Sequence, residues 1–282
     1  MQICVENRDE KLLQLNANAA FIDSTHRGVT VSWASSEEDL RDAQRLRYDV
    51  FVIEMGAIPN EVICDGGDRL ERDRFDLFCD HLLVRAPATP EEPRGEVIGT
   101  YRVLRPEQAR RAGGFYCDTE FDLSPLSTLR SRTVELGRSC VHPDWRSGSV
   151  VMMMWRALGA FMVTHQLSTM IGCASVWIGD DGASVSAIWE QLRHTHLVEK
   201  RWQIEPRFPL LPTDFSLCHV DVAYAKVRVP PLIKGYLRCG ARLLGPPARD
   251  LAFNTADLPM MMHFSDITSR YRTHFLESRS HQ

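Results

Sequence analysis

The chain has 282 residues, of which 44% are hydrophobic and 25% are charged, and its formal net charge at pH 7 is −4. This length and apolar content fit one large or two small globular domains with an adequate core. The slightly acidic balance argues against nucleic acid as a general partner, because proteins that bind nucleic acid usually carry a basic patch.

Cysteine usage and hydropathy narrow the class further. The eight cysteines form no CxxC pair and no His/Cys set at metal-ligand spacing, so we expect reduced thiols, a cytoplasmic location and no metal site. No apolar run approaches the roughly 20 residues that a membrane-spanning helix needs, which leaves only contact with a membrane surface open.

The first half of the chain predicts a strand, a capped helix and a hairpin. Ser36 followed by acids is typical of a helix start, and the apolar residues after it recur every three to four positions. A proline-rich turn between two apolar runs indicates a hairpin. The predicted elements are a polar lead-in over 1–28, a strand over 29–34, a helix to about residue 52, a long charged loop over 56–74, and strands over 77–86 and 95–104.

The second half alternates strands with helices. The predicted strands cover 132–141, 169–177, 217–225 and 258–264, and the predicted helices cover 148–166, 183–194 and 231–243. Strands that alternate with helices after an opening meander favour an α/β or α+β fold, with a mixed twisted sheet between helices on both faces. We expect one domain over 29–266 and a tail over 267–282.

One predicted strand carries an acid, a glycine and an arginine in an otherwise apolar run. Glu135 and Arg138, three residues apart, should point to opposite faces of a regular strand. A β-bulge at Leu136 or Gly137 would bring both charges to one side and free backbone amides to stabilise an acyl oxyanion. The alternative is a buried Glu–Arg pair that only fixes the sheet.

Four charged segments of the chain form a recognisable series. They are Arg47-Tyr48-Asp49-Val50-Phe51, Asp73-Arg74-Phe75-Asp76, Gly99-Thr100-Tyr101-Arg102-Val103-Leu104 and Glu135-Leu136-Gly137-Arg138. In identity and order they resemble the motifs of acyl-homoserine-lactone synthases. That resemblance implies a GNAT-like acyltransferase fold with a bulged central strand, and an acyl donor carried on acyl carrier protein.

Two positions and the last part of the sequence distinguish this chain from those synthases. Ala57 and Val134 stand where the synthases carry tryptophans near S-adenosylmethionine. The segments 230–241, 247–250 and 253–258 resemble instead the bacterial ornithine N-acyltransferases that make lyso-ornithine lipid, sometimes labelled hemolysin-like. The resemblance covers roughly residues 29–275.

The implied reaction assigns roles to the charged residues. An α-amine must lose a proton before it attacks a thioester, and Glu135 is the candidate base. Arg47 or Arg102 could hold the ornithine carboxylate, with Arg138 and Phe51 also at the substrate site. The set expected to meet the distal ammonium is Asp73 and Asp76.

Donor binding is expected at the turn between the glutamate strand and the following helix. Arg146, Gly148 and Ser149 form a degenerate version of the glycine-rich turn that cradles coenzyme A in GNAT enzymes. A phosphopantetheine arm brings one phosphate, so the turn favours acyl carrier protein, with no further cofactor. Basic residues that could form its docking patch are Arg146, Arg156, Arg193, Lys200 and Arg201.

Alternatives remain at this point. The chain could acylate another amino acid or S-adenosylmethionine, or it could be a non-catalytic lipid-binding, hemolysin-like protein. The methionine runs 152–154 and 260–262 suggest an acyl tunnel, but core packing is the simpler expectation, with at most one or two residues of each run at a cavity.

Overall fold

A computed structural model describes residues 21–22, 28–58, 62–65, 67–178, 183–210 and 228–267. Nine strands in these ranges form one sheet in the order β1-β2-β5-β6-β7-β8-β11-β10, with β9 paired to β11. These strands are β1 (Phe21–Ile22), β2 (Thr30–Trp33), β5 (Asp80–Arg85), β6 (Val97–Leu104), β7 (Thr133–Val141), β8 (Thr169–Trp177), β9 (Arg242–Leu243), β10 (Ala248–Asp250) and β11 (Thr255–His263). A separate hairpin joins β3 (Val62–Asp65) and β4 (Asp68–Glu71).

The helices are α1 (Glu37–Arg47), α2 (Pro106–Ala112), α3 (Cys117–Glu120), α4 (Ser149–Thr164), α5 (Ala183–His196) and α6 (Pro231–Cys239). Helix α1 begins as predicted, because the Ser36 side chain accepts a hydrogen bond from the Asp39 amide at 3.1 Å. It continues as a π-helical segment over Tyr48–Glu54. None of the helices in the described ranges is both long and apolar enough to cross a membrane.

The sheet is mixed and carries helices on both faces, as predicted. Among the described strands only β7 and β8 pair in parallel. Leu82 and Val84 of β5 pack in the core cluster of α4, whereas Leu83 between them packs in the cluster of α1. This alternation is the period-two pattern of a strand buried on both faces.

Three sequence predictions need correction. The region 56–74 was expected to be a loop but holds the β3–β4 hairpin, in which Ile63 pairs with Leu70. Helix α6 ends at Cys239 rather than at residue 243, because Gly240 adopts a left-handed φ of 111° and terminates it. Strand β11 begins at Thr255, three residues before the predicted start. The strand predicted over 217–225 lies outside the described residues.

Candidate active site

A β-bulge interrupts the pairing of β6 and β7 at the centre of the sheet. Thr100 pairs with Cys140 and Arg102 pairs with Gly137, so Arg138 and Ser139 together face the single residue Tyr101. Arg138 takes the left-handed φ of 48°. The bulge therefore lies after Gly137, and the prediction that it would fall at Leu136 or Gly137 is wrong. Its expected consequence holds, because Glu135 and Arg138 line the same pocket.

Strands β7 and β8 diverge immediately beyond Glu135. Their pairing extends only from Thr133 with Thr169 to Glu135 with Ile171, although both strands continue. Two cavities open at the gap. The first is apolar, has about 680 Å³ including its mouth, and lies on the α4 side. The second is polar, has about 430 Å³, and contains Glu135. Leu136 and Cys173 line both cavities, so the cavities are neighbours across the gap between the strands.

Glu135 lines the polar cavity next to Leu136, one of the two shared wall residues, and is fixed by backbone amides. Its two carboxylate oxygens accept hydrogen bonds from Tyr116 N at 2.6 Å and Cys117 N at 2.7 Å. Burial raises the pKa of Glu135, although these amides act in the opposite direction. Arg138 pairs with other acids, so the alternative of a Glu135–Arg138 ion pair is not what the structure contains. A buried carboxylate with a raised pKa, open to a pocket, has the properties of a general base.

Three arginines and three acids form a closed ring of ion pairs beside Glu135. Glu71 bridges Arg47 and Arg138, Asp73 bridges Arg138 and Arg102, and Asp76 bridges Arg102 and Arg47, with N···O distances from 2.5 to 3.2 Å. Burial alone would raise the pKa values of Asp73 and Asp76, but the arginines outweigh it and hold both below the usual range. The charges of the ring are therefore balanced internally.

The ring changes the roles available to the predicted substrate residues. Arg47 is fully buried, and its Nε and both terminal nitrogens bind Glu71 and Asp76, so it offers no group to a substrate carboxylate. The expectation for Asp76 fails for the same reason, since this buried carboxylate is bound to two arginines and Gln44. Arg102 and Arg138 do line the polar cavity.

Aromatic rings position Arg138. Its guanidinium carbon lies 4.5 Å from the ring centre of Phe253 and 5.0 Å from that of Tyr116. Phe51 lines neither cavity and instead packs edge-on against Phe253, with ring centres 5.8 Å apart. Its contribution to the site is therefore to support Phe253 behind Arg138.

A pair of carboxyl groups that the sequence analysis missed lies at the other side of the polar cavity. Asp257 lines the cavity, and Glu120, Asp257 and the Cys173 thiol have ligand atoms within 4.8 Å of one another. Burial and the negative charge of Asp257 raise the pKa of Glu120 to about 9, and burial also raises the pKa of Asp257. Among the neighbouring charged groups, acids have the largest effect on the pKa values of this pair. Residue spacing could not reveal it, because Glu120 lies on α3 and Asp257 lies on β11.

The predicted donor turn lies where β7 leads into α4. Gly148 has a φ of 92°, a conformation that favours glycine, and Ser149 is the first residue of α4. Arg146 donates to both carboxylate oxygens of Glu54 at 2.6 Å and to the Val141 carbonyl at 3.0 Å. Two other arginines of the predicted docking patch, Arg193 and Arg201, also pair with nearby acids.

The methionine runs behave differently from each other. All three residues of 260–262 line the apolar cavity, so the expectation of at most one or two was wrong for this run. The residues lie on strand β11 beside the diverging strands rather than on a helix. The residues of 152–154 do not line this cavity. Met153 and Met154 belong to α4 and are buried in the core between this helix and the sheet.

The mixed sheet with a central bulge, the diverging parallel strands and the buried carboxylate at the gap define an acyltransferase of the GNAT class. The profile of the family described as "Acetyltransferase (GNAT) domain" matches residues 46–156, from the end of α1 into α4. This agrees with the fold that the sequence motifs implied.

Comparison with characterised proteins gives the family. The chain is 37% identical over 243 residues to an L-ornithine N(alpha)-acyltransferase of Rhodobacter capsulatus, covering 85% of this chain and 91% of that protein. It is 35% identical over 255 residues to the protein of the same name from Brucella abortus, covering 88% of each. The chain belongs to the L-ornithine N(alpha)-acyltransferase family. Among solved structures, it aligns with the AHL synthase LasI at 12% identity and a TM-score of 0.47, covering 88% of this chain and 93% of that one.

Proposed function

We propose that the protein transfers a 3-hydroxy fatty acyl group from acyl carrier protein to the α-amine of L-ornithine, giving lyso-ornithine lipid in the first step of ornithine lipid synthesis. The observation that carries this proposal is that an apolar cavity and the polar cavity of Glu135 share the wall residues Leu136 and Cys173. A fatty chain fits the apolar side, a charged amino acid fits the polar side, and the thioester carbonyl would lie between them. The names of the relatives support ornithine as the acceptor.

The reaction follows from the groups that lie where the two cavities adjoin. Glu135 accepts a proton from the ornithine α-ammonium, directly or through water, and the amine nitrogen attacks the thioester carbonyl carbon. Backbone amides at the bulge stabilise the oxyanion. The C–S bond then breaks, the attacking nitrogen gives its second proton to the departing pantetheine sulfur, and the amide and the free thiol form. Glu135 releases the first proton to water, so one proton is set free in each turnover. The donor supplies its own phosphopantetheine, so no further cofactor is needed.

The charges of the polar cavity suit a diamino acid. Arg102 and Arg138 are placed to attract the α-carboxylate from one side. On the other side, Asp257 and Glu120 behind it would take the distal ammonium, the role first expected of Asp73 and Asp76. Asp73 is the more exposed of those two and still pairs with Arg102 and Arg138.

The donor side is proposed on chemical grounds. The amides that begin α4, after Gly148, would bind the single phosphate of a phosphopantetheine arm, and Arg146 would exchange Glu54 for it. Acyl carrier protein is acidic, which suits the basic residues of this side.

Contact with the inner membrane face would let the lipid product leave. Ile58 and Leu251 are large apolar side chains with exposed fractions of 81% and 75%. Their segments are joined by a hydrogen bond from Ile58 N to Ala252 O at 2.7 Å. Neighbouring exposed apolar side chains of this kind favour a lipid surface.

The test of the proposed function is a panel of amino acids incubated with 3-hydroxyacyl carrier protein and the purified protein. The expected product is the amide of ornithine, detected by mass spectrometry, with a much slower reaction when acyl-coenzyme A replaces the carrier protein. Product with another amine only would change the assigned acceptor. Absence of product with every amine would remove the enzymatic assignment, and equal rates with both donors would remove the carrier-protein assignment.

Glu135→Gln tests the base, provided that its pH dependence is measured. We expect a rate roughly 100- to 10,000-fold lower at neutral pH. Gln also turns an NH₂ group toward one of the two amides that hold Glu135, so a structural defect alone could lower the rate. The two causes separate with pH: a missing base matters less as the amine deprotonates unaided, so the deficit should shrink at high pH. A deficit that stays constant with pH would assign Glu135 a structural role.

A further inference from the structure

The apolar cavity contains a pair of hydroxyl groups that the proposed mechanism does not use. Tyr101 and Tyr236 both line it, and their hydroxyl oxygens lie 2.7 Å apart. They are the only side-chain oxygen atoms among the described residues that line this cavity. Burial raises the pKa values of both phenols, so both are neutral and each carries a proton. One proton serves the bond between them and the Ser139 side chain also bonds to Tyr101, which leaves at most one donor and two or three lone pairs for a further partner.

The pair is held in place from both sides. Tyr101 lies on β6, and Trp155 of α4 stacks against the Tyr236 ring with ring centres 5.6 Å apart. Gly235 leaves the space for this stack, since a Cβ there would lie 3.1 Å from Trp155. Rigid rings fix the positions of the two hydroxyls in the cavity wall.

The bulge indicates which carbon of a bound acyl chain lies beside the tyrosine pair. Tyr101 is the residue that faces Arg138 and Ser139 across the β6–β7 ladder, and the Ser139 side chain hydrogen-bonds to its hydroxyl. The thioester carbonyl is proposed to lie at this bulge. The third carbon of an acyl chain is two carbon–carbon bonds from the carbonyl carbon, about 2.5 Å away. A substituent on that carbon therefore enters the apolar cavity beside the bulge, on the side of Tyr101.

We propose that Tyr101 and Tyr236 recognise the 3-hydroxyl of the acyl chain and make the enzyme prefer 3-hydroxyacyl donors over unsubstituted donors of the same length. This rests on the proposed function for the position of the carbonyl. A hydroxyl placed in an apolar cavity loses its water, and the tyrosine pair replaces that hydration. When an unsubstituted chain is bound, the tyrosines still bond to each other. The discrimination is therefore moderate, roughly ten- to a hundredfold in kcat/KM, and not the far larger factor of a site that is left unpaired.

The experiment compares kcat/KM for 3-hydroxyacyl and unsubstituted acyl carrier protein of equal chain length, with ornithine as acceptor. The wild-type protein should favour the hydroxylated donor at least tenfold. In Tyr101→Phe and Tyr236→Phe the ratio should fall toward one, with the loss concentrated on the hydroxylated donor. These substitutions remove one oxygen each and keep the ring. The matched control is Tyr48→Phe, a buried tyrosine outside both cavities whose hydroxyl accepts from Arg69, and it should keep the wild-type ratio.

A binding measurement separates this inference from the proposed function. Calorimetric titration with 3-hydroxyacyl and unsubstituted acyl pantetheine should show the same preference and the same loss in the two variants. Equal wild-type rates and affinities for the two donors, or variants that keep the wild-type preference, would overturn the role of the tyrosines while ornithine acylation stands. A preference in binding that the variants abolish, without acylation of any amine, would support the tyrosines and overturn the proposed function.

Discussion

Two charged regions border the same polar cavity and are built on opposite principles. In the ring of Arg47, Glu71, Arg138, Asp73 and Arg102, closed by Asp76, every acid lies between two arginines. Across the cavity, Glu120 and Asp257 are two acids in contact: burial and the charge of Asp257 raise the pKa of Glu120, and burial and the charge of Asp250 raise that of Asp257. The ring is electrically complete in the folded chain. The acid pair is complete only when it keeps a proton or receives a cation.

This difference indicates which groups hold the shape of the site and which bind a ligand. Buried opposite charges that satisfy each other stabilise a geometry, and of the ring only Arg102 and Arg138 line the polar cavity and are placed to meet a carboxylate. Buried like charges cost stability and gain from an ammonium group. The cost is tolerated at functional sites because the ligand relieves it.

Arg47→Met breaks the ring and should give the largest effect. The substitution fits the buried stem of Arg47 but leaves Glu71 and Asp76 each with one arginine fewer in a dry environment, so unfolding should become easier by about 3–5 kcal/mol. Chemical denaturation measures this. The control is Arg94→Met, which removes a partly exposed surface arginine from Glu38, Asp39 and Asp42 and should cost about 1 kcal/mol or less. Equal losses in the two variants would show that the ring contributes no more than a surface pair.

Asp257→Asn tests the other region through substrate choice. The variant keeps the size of the side chain and removes a charge from the cavity, so KM for ornithine should rise about tenfold or more, with a smaller change in kcat. The preference for ornithine over norvaline, which has the same carbon chain without the distal amine, should fall with it. Asp80→Asn, at an ion pair with Arg105 away from the cavities, serves as control. An unchanged ornithine-to-norvaline ratio would remove Asp257 from recognition of the distal amine.

The sequence predicted the fold where elements have a strong period or clear caps. The β5–β6 hairpin, β7, α4 and β8 all follow from such patterns. The β3–β4 hairpin was missed because its region of the sequence holds Pro59, Gly66, Gly67 and many charged residues, a composition that is typical of a loop. Helix α3 was missed because its four residues are too few to show a helical period, and yet its first turn holds Glu135.

The site was predictable in its residues but not in its pairings. An acid, a glycine and an arginine in an apolar strand indicated the bulge and placed Glu135 and Arg138 on one face. The partner of each charge depends on contacts between distant segments, such as Arg138 with Glu71 across 67 positions. Local patterns do not contain that information, so Arg47 and Asp76 were assigned to the substrate although they bind each other.

The pH dependence of stability isolates the acid pair. The folded-state pKa of Glu120 is about 9, above the ordinary value of 4.5, so the folded protein binds more protons than the unfolded chain between these values. Stability should therefore fall as pH rises from 7 to 9, by at most about 1.4 kcal/mol per pH unit for one proton. Asp257→Asn removes the repelling charge, so its curve should be flatter and lie higher at pH 9. Saturating ornithine should flatten the wild-type curve in the same way, since an ammonium group supplies the positive charge that the proton supplied. A wild-type curve as flat as that of the variant would mean that Glu120 and Asp257 do not interact as like charges in the folded chain, and the contrast with the ring would then disappear.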